Sequence, residues 1–124
     1  MKRNNRAVGT EYEKLAGDYL IKQGYAVLDY NYRCFFGEID IIALDKNTLV
    51  FCEVKYRGST SKGDPLESIN YHKQQRLIKC AMNYMVHKYK KEMTCRFDVI
   101  GFSYTNKDKS DMDNINHLKN AFWG

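Results

Sequence analysis

Long apolar runs are missing from this 124-residue sequence. The longest, such as Ile39 to Leu44 broken by Asp40, are only a few residues, too short to span a bilayer. The N-terminus, Met1-Lys2-Arg3-Asn4-Asn5-Arg6, is basic, but Ala7-Val8-Gly9 runs straight into charged residues with no apolar stretch for a secretory signal. The expectation is a cytoplasmic protein with no membrane partner. Cysteine is sparse: Cys34, Cys52, Cys80 and Cys95 lie 18, 28 and 15 residues apart, with no C-x-x-C pair and no histidine at zinc-ligand spacing. Zinc is therefore not expected. Cys52 falls in an apolar strand pattern of a chain that reads as cytosolic, so the four read as small buried hydrophobes rather than two disulfides. There are no internal repeats and no linker-like stretch, and the one proline, Pro65, sits among turn formers. One domain over residues 1–124 is expected, and 44% hydrophobic with 14% aromatic residues is enough for one ordinary core.

What is present in excess is positive charge. The net charge is +5, and residues 55–91 carry nine Lys and Arg against Asp64 and Glu67, a net +7. Clustered cations are rewarded on a phosphate backbone by counterion release, although a lysine-rich helix face in water gives the same count.

Apolar residues Tyr12, Leu15, Ala16, Tyr19 and Leu20 recur at helical spacing, predicting a helix from Thr10 to Gln23 that Gly24 stops. Strands are predicted over Tyr25–Tyr32, Gly37–Leu44 and Leu49–Tyr56, the last two joined by a turn at Asp45-Lys46-Asn47-Thr48. Arg57 to Pro65 reads as a loop. Glu67 to Lys91 reads as a second helix with Gln74, Leu77, Ile78, Ala81, Met82 and Met85 inward. A strand over Cys95–Ser103, a polar loop over Asn106–Asn114 and a short last strand near Ile115–Leu118 complete the chain.

Side chains alternate along a strand, so Glu38, Asp40 and Ile42 are expected on one face, with Ile39, Ile41 and Ala43 on the other. In the partner strand Phe51, Glu53 and Lys55 share a face. Pairing through the turn then sets Asp40 opposite or next to Glu53. Two adjacent carboxylates repel unless a cation lies between them, and magnesium takes hard oxygen ligands without any histidine. Such a site suits phosphodiester hydrolysis, with Lys55 orienting a water or meeting charge on the phosphate. A cross-strand salt bridge on a solvent-facing sheet is the plainer reading of the same spacing.

The sequence blocks Gly9-x-x-x-Glu13-x-x-Ala16, Asn31-Tyr32-Arg33, Gly37-Glu38-Ile39-Asp40-Ile41-Ile42-Ala43, Cys52-Glu53-Val54-Lys55 and Arg96-Phe97-Asp98-Val99-Ile100 resemble the bacterial YraN-like family, in order, over most of the chain. The resemblance implies a restriction-endonuclease-like α/β fold, a mixed central sheet flanked by helices in the order αβββαβ, similar to Holliday junction resolvases. It implies an endonuclease using Mg2+ or Mn2+ on DNA, on branched or recombination intermediates, and a homodimer for junction cleavage. The superfamily's metal-binding acid falls on Asp40 and its Glu-x-Lys pair on Glu53 and Lys55. Ile39 replaces the superfamily's proline before the aspartate. Glu13 matches the first-helix glutamate that resolvase-like members use as a further ligand, but Thr10-x-x-Glu13 is equally a capping box.

Around this set, Tyr56, Arg57, Lys62, Lys73 and Gln74, with Gln75, are candidates to grip a nucleic-acid strand. Glu38 is within reach of the site or simply solvated, and Asp98 either supports the site or pairs with Arg96. His72, His87 and His117 read as surface or packing residues. The rival functions are a nucleic-acid-binding module without turnover and a protein-interaction subunit on the same fold.

Overall fold

The computed structural model describes residues 5–57, 70–91, 93–103 and 115–122. Helix α1 spans Asn5–Lys22; strands β1 (Ala26–Cys34), β2 (Gly37–Asp45) and β3 (Thr48–Arg57) follow. Helix α2 spans Tyr71–Tyr84 and runs on through one π-helical turn, Met85–Tyr89, before β4 (Cys95–Ser103) and β5 (Ile115–Phe122). The five strands are ordered β1-β2-β3-β4-β5. Antiparallel pairs flank the parallel β3–β4 pair, which α2 connects. This is a mixed α/β architecture, a five-stranded sheet with helices on both faces, consistent with the restriction-endonuclease-like fold. Among the described residues no helix is long and apolar enough to cross a membrane.

Alternation along the strands splits the core in two. On one face Leu49, Phe51, Phe97 and Val99 pack beneath Leu77, Cys80, Ala81 and Tyr84 of α2. On the other, Ile41, Ala43, Val50, Cys52, Ile100 and Phe102 pack beneath Tyr12, Ala16 and Leu20 of α1. A sheet buried on both faces reads as near-continuous apolar sequence, which is why Ile39 to Leu44 carries so few polar residues.

Three boundaries differ from the sequence reading, each for a physical reason. Helix α1 begins at Asn5, so Thr10 is interior to it. A capping box needs its Thr at the N-cap, and that reading of Glu13 therefore falls. Helix α2 begins only at Tyr71, because Asn70 caps it by accepting from the Lys73 backbone N–H at 2.9 Å. Its buried stripe is Leu77, Cys80, Ala81 and Tyr84, while Met82 is 58% exposed. Of the predicted inward residues Leu77 and Ala81 are buried and Ile78 and Met85 pack against the same core, so Met82 is the one that turns outward, while Cys80 and Tyr84 join the buried face. Strand β5 is longer than expected and ends at Phe122, whose ring stacks on Phe97. The two predicted loops lie almost wholly outside the described residues.

Candidate functional site

The β2–β3 ladder follows the expected register from Asp45↔Thr48 to Ile41↔Cys52 and stops there. Beyond that point β2 stays paired with β1 through Ile39, Glu38 and Gly37 and leaves β3. The next donor on β3, the Val54 N–H, is taken by the Asp40 carboxylate, with Oδ2 at 2.8 Å. A side chain replaces the missing strand carbonyl, so the backbone group stays satisfied where the ladder opens. The opening also breaks the alternation: Ile39 joins Ile42 in the α2-side core instead of sharing a face with Ile41 and Ala43.

A cleft of about 370 Å³ lies in this opening, lined by Glu13 of α1, Asp40 of β2, Glu53 and Lys55 of β3, and Lys73 and Arg76 of α2. Because the strands part here, residues from helices on opposite faces of the sheet reach one cavity. Glu53 is only 5% exposed. Its Oε2 faces the ammonium groups of Lys73 and, at 3.5 Å, Lys55. Neither is aligned as a hydrogen bond, so Glu53 Oε2 is left without one. Glu13 Oε1 is likewise buried with no hydrogen-bond partner among the described residues. A buried carboxylate oxygen without a hydrogen bond is costly unless a cation faces it, as Lys73 and Lys55 face Glu53.

The electrostatics agree. Burial, then the charge and hydrogen bond of Glu53, push the Asp40 carboxyl well above its ordinary value. Burial opposes ionisation of Glu53 too, but the hydrogen bond from Asp40 and the charges of Lys73 and Lys55 hold it below the usual range. The two carboxyls are thus pushed in opposite directions by their shared contact. Burial also raises Glu13, against hydrogen bonds to Asn31 and Asp40. Burial and the neighbouring Lys73 lower the Lys55 ammonium, while Glu53 raises that of Lys73 in spite of its burial.

Among the described residues no group of three or more His, Cys, Asp or Glu side chains is placed to hold a metal ion. The Lys73 and Lys55 ammoniums offset part of the acidic charge of the cleft. Three carboxylates, Glu13, Asp40 and Glu53, nevertheless line the one cleft, and oxygen donors of that kind suit a hard cation rather than a soft one.

Of the other candidates, Lys73 lines the cleft, but as the ion-pair partner of Glu53. Gln74 is half-buried and does not line it. Glu38 lines the rim, where it accepts from Arg33 Nε at 2.8 Å. Lys62 lies outside the described residues, and Arg57 ends β3. Sequence reading missed Arg76, and it missed Asn31, which holds a left-handed φ of 53° opposite Asp40 and hydrogen-bonds Glu13. An asparagine inside a strand pattern was the signal for the latter, since Asn tolerates that conformation.

Asp98 belongs elsewhere. It accepts from Arg96 Nε at 3.0 Å, from the Asn120 backbone N–H at 2.9 Å and from His117 Nε2 at 2.7 Å, on the α1 side of the sheet. His117 is therefore not isolated; it is a packing residue held between Asp98 and Tyr19, whose hydroxyl lies 3.0 Å from Nδ1.

Residues 12–102 match the model of a family described as uncharacterised protein family UPF0102. A UPF0102 protein of Caldanaerobacter subterraneus subsp. tengcongensis is 45% identical over 96% of this chain and 97% of its own length. One from Thermodesulfovibrio yellowstonii is 49% identical over 94% and 96%, and one from Chlorobium limicola 42% over 99% and 97%.

Proposed function

The chain belongs to the uncharacterised protein family UPF0102, and from that premise and the acidic cleft we propose a metal-dependent endonuclease of the restriction-endonuclease-like superfamily that hydrolyses DNA phosphodiesters. The observation that carries the reading is the convergence of Glu13, Asp40 and Glu53, a buried oxygen of Glu13 being without a hydrogen-bond partner among the described residues, beside Lys55 in the gap between β2 and β3. Asp40, Glu53 and Glu13 would hold Mg2+ or Mn2+. Bound there, such an ion lowers the pKa of a water and takes up charge developing on the phosphate.

The chain's own residues do the rest. The Val54 N–H fixes the Asp40 carboxylate in one orientation. Lys55 Nζ, on the same side of β3 as Glu53, orients the attacking water and meets the oxygens of the phosphate as charge builds. Arg76 and Lys73, which line the cleft, would hold the backbone there, and Arg57 and Lys62 remain candidates for the same role from the sequence. Branched or recombination intermediates are the expected DNA, and cleaving two strands of a junction calls for a homodimer. Four unbridged cysteines suit a reducing cytoplasm.

One observation favours a second reading. The Lys73 ammonium already neutralises Glu53, which would suit a nucleic-acid-binding module that never turns over. Cleavage of labelled duplex, single-stranded, flap and four-way-junction DNA with magnesium, manganese or chelator separates the two. Wild type should cut at least one substrate only with metal, and Asp40→Ala or Glu53→Ala should lose about 100-fold or more while keeping fold and DNA affinity. Tight, salt-sensitive binding with no cutting of any substrate would leave the binding module.

A further inference from the structure

The turn between β1 and β2 is two residues long, closed by the pair Cys34↔Gly37, and both residues are phenylalanine. Two-residue hairpin turns ordinarily carry Asn, Asp or Gly, because the backbone must bend sharply and the side chains face water. Here Gly37, at a φ of 149°, takes the left-handed geometry, and neither phenylalanine has a positive φ. The aromatic rings are thus not demanded by the turn, nor are both needed by the core. Phe35 is 97% exposed.

Its neighbour is anchored to the site. Phe36 lines the same cleft as Asp40, Glu53 and Arg76. The Lys79 ammonium lies over its ring, 5.7 Å from the centroid. Phe35 stands edge-on to Phe36, with centroids 5.6 Å apart. A ring that lines the cleft with Arg76 and lies under the Lys79 ammonium therefore stands against a second ring held out in solvent.

We propose that Phe35 and Phe36 form a base-stacking wedge, so that the cleft takes nucleic acid with an unpaired or unstacked base next to the phosphodiester it holds. Aromatic faces beside cations are what a single strand requires, the rings taking bases and the cations taking phosphates. Rings inserted between base steps likewise unstack a duplex where it is weak. Charge complementarity selects a polyanion over an apolar protein surface. The inference rests on the cleft holding a nucleic-acid strand; it adds which strand.

The test uses the full chain in chelator, so that nothing is cut, with oligothymidylate and a blunt DNA duplex of equal length as probes. Phe35→Trp places an indole at the tip, and a parallel titration of wild type supplies the background of Trp123, the one native tryptophan. Oligothymidylate should quench the added indole, and the blunt duplex should not. Phe35→Ala should weaken oligothymidylate binding about 5- to 100-fold and leave duplex binding unchanged. Because Phe35 packs against almost nothing, folding is unaffected, and circular dichroism confirms it. An unquenched indole with equal oligothymidylate affinity for wild type and Phe35→Ala overturns the wedge. If metal-dependent cutting that Glu53→Ala abolishes persists beside that result, only the wedge falls. If wild type binds neither probe and cuts nothing, the nucleic-acid reading falls with it.

Discussion

Two buried carboxylates on one sheet, Glu53 and Asp98, separate function from structure. Asp98 accepts three well-aligned hydrogen bonds and is satisfied. Glu53 faces two ammoniums and still has an oxygen with no aligned partner. A buried acid that is fully paired rigidifies; one left partly paired is poised for a further ligand. Lys73 is the group that makes the cleft tolerable without that ligand. Replacing it by Gln should cost about 1–2 kcal/mol of metal-free stability in urea titrations, since Lys55 still faces Glu53. The same change removes a competing cation, so Mn2+ binding measured by calorimetry should tighten about fivefold or more. Unchanged Mn2+ affinity in Lys73→Gln would show that Lys73 does not hold the metal's place.

At the scale of elements, what matters is how α2 is tied to the β1–β2 hairpin. Asn70 caps its start, and Asn70→Ala should cost about 1 kcal/mol, seen as a lowered Tm. Seven residues on from Lys73, Cys80 puts its Sγ 2.9 Å from that of Cys34, the last residue of β1 before the phenylalanine turn. Both are free thiols. Burial and the contact with Cys34 push the Cys80 thiol up to about 12, so the more accessible Cys34 should meet an oxidant first. A diazenedicarboxamide oxidant should take up the two thiol hydrogens and leave a Cys34–Cys80 disulfide, found by peptide mass spectrometry and absent in Cys34→Ser. Recovery of both thiols unlinked would mean that the hairpin and α2 move apart faster than they cross-link.

Over the whole molecule, the Asp98 network joins parts of the chain that are far apart in sequence. Arg96 donates from Nε to Asp98, from NH1 to Asp45 at 3.1 Å, at the end of β2, and from NH2 to the Tyr25 hydroxyl at 2.6 Å. His117 and Asn120 bring in the edge strand β5 and, through Tyr19, helix α1. Burial works against the Asp98 charge, but the hydrogen bonds from His117, Asn120 and Arg96 hold its carboxyl below the usual aspartate value. A depressed folded pKa stabilises above the unfolded value, near 3.8, and that contribution is lost as pH falls through the folded one. Stability should therefore drop below about pH 4 in wild type. Asp98→Asn should lose about 3 kcal/mol at neutral pH and show a flatter acid limb in urea titrations at stepped pH. An acid limb identical in the two proteins would remove Asp98 as its source.

Local physics made much of this legible in the sequence. Period-2 alternation and a turn at Asp45 to Thr48 placed the β2–β3 hairpin and set Asp40 across from Glu53, because a strand has only two faces and a turn fixes the register. Helical spacing placed α1 and the body of α2. Only the tertiary structure could decide what lies between elements. The ladder stops at Ile41, Ile39 crosses to the α2 side, and Lys73 from one face and Glu13 from the other meet in the resulting gap. The tie of Asp98 to His117 and Asn120 is of the same kind. Such contacts depend on where whole helices and strands come to rest, and the periodicity of any single segment carries no record of that.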